Sequence, residues 1–171
     1  DGQTAALVTT PASLTATALS TTIGEQVGAV RGSNLSRFIT RAQSGENLTV
    51  TILGDSMWAG QTVTNPATDG AAILLAADLT ARFPGTVTVT NRAAGGRTML
   101  TMHTFSDVEN ALADKADLYI IGGGRNDALN EFPGGGGVYK EGYPRAGSMA
   151  ARERVIRMIR DRVPKADVIL S

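Results

Sequence analysis

The sequence contains no cysteine and a single histidine, His103. The first absence excludes disulfides, zinc–thiolate sites and thiol catalysis, and the second excludes a histidine-rich metal site. Any histidine-dependent mechanism must use His103 or a residue outside these 171 positions. An excess charge of one sign is missing as well: 16 Lys and Arg face 16 Asp and Glu, with no long basic run. No nucleic-acid partner is therefore expected. No apolar stretch approaches the roughly 18 residues that span a bilayer, and the first residues lack the charged-then-apolar layout of a signal peptide. No membrane partner is expected either, and the chain reads as soluble. What remains is a 42% hydrophobic content, which suits one globular domain with some chain to spare.

From Asp1 to about Arg31 the residues are mostly Thr, Ala, Ser, Gly and short aliphatics, with no aromatic side chain. Such a stretch cannot build its own core, so residues 1–32 read as a linker or assembly segment. The pattern changes at Ser33. Leu35, Phe38 and Ile39 fall at helical spacing, Gly45 ends that helix, and Leu48 to Leu53 is a β-branched run that reads as a first strand. Ala72, Leu75, Ala76, Leu79 and Phe83 mark an amphipathic helix stopped by Pro84-Gly85, and Thr86 to Thr90 follows as a second strand. A helix through Val108 and Leu112 leads into a third strand, Asp117 to Ile121. The last helix runs from about Ser148 to Val163, with Ala151, Val155, Ile159 and Val163 inside and Arg152, Glu153, Arg157 and Arg160 largely outside. Asp167 to Leu170 is a fourth strand. Lys115-Ala116-Asp117-Leu118 and Lys165-Ala166-Asp167-Val168 are near copies, each placed where a helix hands over to a strand. Strands alternating with helices predict right-handed βαβ units and an α/β fold, with a parallel sheet covered on both faces.

In an open parallel sheet, ligands bind beyond the C-terminal ends of the strands. The first strand ends in Gly54-Asp55-Ser56, the second in Asn91-Arg92-Ala93-Ala94-Gly95-Gly96-Arg97-Thr98, and the third in Gly122-Gly123-Gly124-Arg125-Asn126-Asp127. These resemble, in order and position, the first three blocks of the SGNH/GDSL hydrolase superfamily: Gly-Asp-Ser, an isolated Gly, and Gly-x-Asn-Asp. The resemblance covers residues 33–171 and implies a three-layer α/β/α, flavodoxin-like fold. It also implies a serine esterase acting on a small ester or an acylated carbohydrate, without cofactor or metal. Carried over by position, Ser56 is the nucleophile, and Ser56, Gly96 and Asn126 form the oxyanion hole. Gly96 directly precedes Arg97-Thr98, with Gly95 one residue away as the alternative. The chemistry suits these residue types, because a Ser hydroxyl needs a base and its tetrahedral intermediate needs fixed donors.

The family's final Asp-x-x-His block does not occur in residues 1–171. The expectation is a chain cut after its fourth strand, continuing with a fifth strand, that block and a closing helix, and inactive without them. His103 reads as a surface or supporting residue, and Asp55 and Asp127 as loop-fixing carboxylates. Trp58 and Tyr119 are candidates for a sugar subsite or for packing, and Arg97 and Arg125 for holding an anion or for solvation. Phe132 to Tyr143 reads as a lid or a surface insertion. Thr10-Pro11-Ala12-Ser13-Leu14-Thr15 resembles connecting segments of bacteriophage tail proteins, which implies an extracellular or virion-associated homo-oligomer, a trimer if a tail protein. The competing reading is a non-catalytic binding or structural module that keeps the fold. A nucleotide site is weaker, since neither Gly-x-Gly-x-x-Gly nor Gly-x-x-x-x-Gly-Lys-Ser/Thr occurs.

Overall fold

The computed structural model describes residues 35–130 and 145–171. The segment 1–32 and the loop Phe132 to Tyr143 lie outside the described residues. Helix α1 is Ser36–Gln43 and buries Phe38 and Ala42. Ile39, grouped above with Phe38, instead lies exposed. Strand β1 is Leu48–Leu53, and five of its six residues are buried. A short helix α2 (Pro66–Asp69) and the longer α3 (Ala71–Arg82) lead to β2, Val87–Asn91. Helices α4 (Met99–Thr104) and α5 (Asp107–Ala113) precede β3, Leu118–Ile121. Then come α6 (Arg125–Asn130), α7 (Arg145–Arg162) and β4, Asp167–Leu170. No helix among the described residues is long and apolar enough to cross a membrane.

The four strands form one sheet in the order β2-β1-β3-β4, and every pairing is parallel. Side chains alternate across a strand, so β1 feeds both layers at once. Leu48, Val50 and Ile52 join Leu118, Ile120 and Val87 on the face covered by α1 and α3, where Phe38, Ala42 and Ala72 close the core. Leu53, Tyr119, Ile121 and Val168 face the other way, against Met99 and Met102 of α4, Val108 and Leu112 of α5, and Val155 and Ile159 of α7. Each fully buried aliphatic side chain contributes about 1.5–3 kcal/mol. The result is the three-layer α/β/α fold of the SGNH hydrolases.

Three short helices, α2, α4 and α6, carry no clear periodic signal in the sequence. The stretch after the second strand, which holds His103, forms α4 because of a local cap: Thr98 Oγ1 accepts from Thr101 N–H at 3.1 Å and Thr101 Oγ1 accepts from Thr98 N–H at 2.8 Å. This is a capping box with Thr in the place usually held by Glu or Gln.

The repeated Lys-Ala-Asp triplet also has a physical role. Ala116 and Ala166 are both buried where a helix meets its strand. Each following carboxylate ties a neighbouring element to the sheet's N-terminal edge. Asp117 Oδ2 accepts from Thr49 N–H at 2.9 Å and its Oδ1 pairs with Arg41, while Asp167 Oδ2 accepts from Phe38 N–H at 2.7 Å. Burial pushes the Asp117 carboxyl up, but the bonds from Thr49 and the Arg41 guanidinium outweigh it and hold the group below the usual carboxylate range. A carboxylate with a depressed folded pKa stabilises the protein above its unfolded pKa, and that contribution disappears as pH falls through the folded value. Asp117→Asn is therefore expected to lose about 1–2 kcal/mol in urea unfolding at neutral pH. The gap from the parent should close as the pH drops below about 4; a constant gap from neutral pH to pH 3 contradicts the assignment.

Candidate active site

The parallel register brings the three glycine-containing ends together. Ile52 of β1 is level with Asn91 of β2, and Leu53 is level with Ile121 of β3, so the three segments leave the same sheet edge on adjacent strands, about 4.8 Å apart. The pairing continues past the strands: Ala94 N–H donates to Gly54 O at 3.1 Å and Gly122 N–H to Leu53 O at 2.7 Å.

Ser56 is half-buried and opens a helical turn, in which Ala59 N–H reaches Asp55 O at 3.0 Å and Gln61 N–H reaches Ser56 O at 2.9 Å. Asp55 is buried, and its Oδ1 accepts from Met57 N–H at 3.0 Å, which closes the turn around Ser56. Gly96 has φ +72°, a left-handed conformation that strains any side chain. Neither Ser56 N–H nor Gly96 N–H is bonded to another described residue. Asn126 Nδ2 donates to Arg97 O at 2.8 Å, linking the third segment to the second. Asp127 is buried, with both oxygens 3.1–3.2 Å from Met99 N–H at the start of α4. Asp55 and Asp127 thus fix loops. Their neighbours Ser56 and Asn126 are left at the sheet edge.

The other candidates separate. Tyr119 is fully buried, its hydroxyl donating to Ala111 O and accepting from Ala116 N–H, so it belongs to the core and not to a sugar subsite. Trp58 lies across the strand ends: its Cβ would stand 2.8 Å from a Cβ on Gly54, and its indole Nε1 donates to Ser171 Oγ at 3.1 Å. With Met57, Val63 and Leu74 it walls a mostly apolar cleft of about 500 Å³ that also includes Asp55, Gly123 and Arg125. Arg97 pairs with Asp107, and its guanidinium stacks 4.1 Å from the centre of the Phe105 ring. Arg125 is exposed and lines the cleft. His103 Nε2 lies 3.3 Å from Ala151 O, bridging α4 and α7. Among the described residues, no group of three or more carboxylates or histidines is placed to hold a metal ion.

Sequence periodicity missed two contributors. Asn91 Nδ2 donates to Trp58 O at 2.8 Å while its Oδ1 accepts from Ala93 N–H, so it joins the first and second segments. Arg152, expected outside, is half-buried and donates to Gly123 O at 2.8 Å. Asn at a strand end is a recognisable turn former; nothing local marks Arg152.

The GDSL-like Lipase/Acylhydrolase family matches residues 52–171, and the chain belongs to that family. No curated protein matches it significantly. Among solved structures, it is similar to a two-domain esterase active on acetylated mannans, at 22% identity and a TM-score of 0.64 over 81% of this chain and 33% of that one. It is also similar to an acetylxylan esterase from Geobacillus stearothermophilus, solved as a catalytic mutant, at 20% identity and a TM-score of 0.59 over 75% of this chain and 60% of that one. A putative GDSL-like lipase from Parabacteroides merdae gives 16% identity and a TM-score of 0.55 over 74% of this chain and 59% of that one. The chain thus spans less than two-thirds of each of these relatives.

A Cβ on Gly122 would overlap Trp58 Nε1. Gly122→Ala is expected to displace the indole and cost about 1–3 kcal/mol in thermal unfolding. It should also shift the fluorescence of Trp58, the one tryptophan within residues 1–171. An unshifted spectrum means that the indole does not lie over this strand end.

Proposed function

We propose that this chain carries the nucleophile and oxyanion hole of a serine esterase, with Ser56 as nucleophile and an acylated carbohydrate as substrate. Ser56 Oγ attacks the ester carbonyl carbon. The resulting oxyanion is met by Ser56 N–H, Gly96 N–H and Asn126 Nδ2. Collapse expels the alcohol and leaves an acyl-Ser56, which water cleaves to the carboxylate. The base that takes the Ser56 proton is left to the family's Asp-x-x-His block, which residues 1–171 do not contain.

The observation that carries this reading is the bond from Asn126 to Arg97 O. A backbone carbonyl only accepts, so it selects the NH2 end of the amide and leaves that group's second N–H to donate elsewhere. The N–H groups of Ser56 and Gly96, which have no partner among the described residues, support the same assignment. Donors fixed before the charge develops are worth more than donors that must turn to meet it. Support for the carbohydrate comes from the similar solved structures, an esterase active on acetylated mannans and an acetylxylan esterase.

In the full-length protein, Ser56→Ala is expected to abolish hydrolysis of a chromogenic acetate ester without altering the circular dichroism spectrum. Retained turnover in that variant removes Ser56 from the chemistry. Asn126→Ala should lower kcat by about a hundredfold or more with KM little changed, as expected of a donor used in the transition state. A rise in KM alone would move Asn126 from the oxyanion to substrate binding.

A further inference from the structure

The loop between β3 and α6 begins with three glycines, of which Gly123 and Gly124 have φ of +142° and +123°. Such a run has the greatest backbone freedom to lose on folding. The position of Asn126, two residues further on, therefore depends on outside grips on the glycines as well as on its own bond to Arg97 O and that of Asp127 to Met99 N–H. Two of the outside grips are apolar surfaces: the Trp58 indole against Gly122, and Met99 Cε, which would stand 2.9 Å from a Cβ on Gly123. The third is polar. Arg152 Nη2 donates to Gly123 O at 2.8 Å, and the same nitrogen would stand 3.3 Å from a Cβ on Gly124.

Arg152 is placed to act as a rigid anchor. It is half-buried and forms no ion pair with a described residue. A partly buried arginine ordinarily has a partner, and among the described residues the hydrogen-bond acceptor of Arg152 is the loop carbonyl. Its neighbour Ala151 is buried, with its carbonyl 3.3 Å from His103 Nε2. One turn of α7 thus meets both α4, whose first N–H is held by Asp127, and the glycine loop that leads to Asn126.

We propose that Arg152 is a positioning residue, whose guanidinium holds the Gly123 carbonyl and thereby keeps the Asn126 amide aimed at the oxyanion. The catalytic half of this statement rests on the esterase reading above; the tether itself does not. A donor shifted by about 1 Å costs up to about a hundredfold in rate, so loss of the polar grip on the glycines, with the Asn126 bond to Arg97 O kept, is expected to cost about tenfold.

The test uses Arg152→Met in the full-length protein, which keeps the apolar stem and removes the donor, with Arg152→Ala beside it. Amide hydrogen exchange is followed by mass spectrometry on a peptide covering Ile120 to Asp127, and kcat and KM are measured separately on p-nitrophenyl acetate. Expected for both variants are faster exchange in that peptide and a kcat lowered about tenfold with KM within about twofold of the parent. Should Arg152→Ala fail to fold, Arg152→Met carries the test. Unchanged exchange in Arg152→Met overturns the tether, and faster exchange with unchanged kcat overturns its catalytic role. If Ser56→Ala retains full turnover, the esterase reading fails on its own, and the exchange measurement still decides whether Arg152 holds the loop.

Discussion

The molecule depends on the double pairing of β1. It is bonded in parallel to β2 on one side and to β3 on the other, and its alternating side chains supply both hydrophobic layers. A one-residue slip of this strand would turn Leu48, Val50 and Ile52 away from α1 and α3 and send Thr49 and Thr51 into that core. The same register sets Gly54-Asp55-Ser56 beside the segments that follow β2 and β3. The constraint that makes the core therefore also assembles the site.

The two ends of the sheet are treated differently. At the N-terminal edge, Asp117 and Asp167 accept from Thr49 and Phe38, so that edge is closed by carboxylate-to-backbone bonds. At the C-terminal edge, Asp55 and Asp127 are used in the same manner, on Met57 in the turn around Ser56 and on Met99 at the start of α4. Buried carboxylates take up the backbone donors that must be satisfied for folding. Among the described residues, the N–H groups of Ser56 and Gly96 are left without a partner.

Membership of the GDSL-like family and the likeness to solved esterases agree on the fold. The Trp58 cleft and the triple-glycine loop both lie at the C-terminal ends of the strands. Both are held by side chains from far along the chain: Ser171 bonds Trp58 and Arg152 bonds Gly123.

The sequence by itself determined the elements whose signal is local. Strands β1 and β4 begin and end where the β-branched runs do, α3 follows its apolar stripe, and the blocks around Ser56, Gly96 and Asn126 are legible because their residue types and strand-end positions repeat a known pattern. Only the tertiary structure decided the rest. Tyr119 became core because Ala111 O and Ala116 N–H meet its hydroxyl, α4 formed around a Thr–Thr cap without a clear apolar period, and Arg152 turned inward to a carbonyl 29 residues away. Periodicity reports how a residue relates to neighbours within a turn or two. It carries no information about a hydrogen-bond partner that exists only once distant segments have packed.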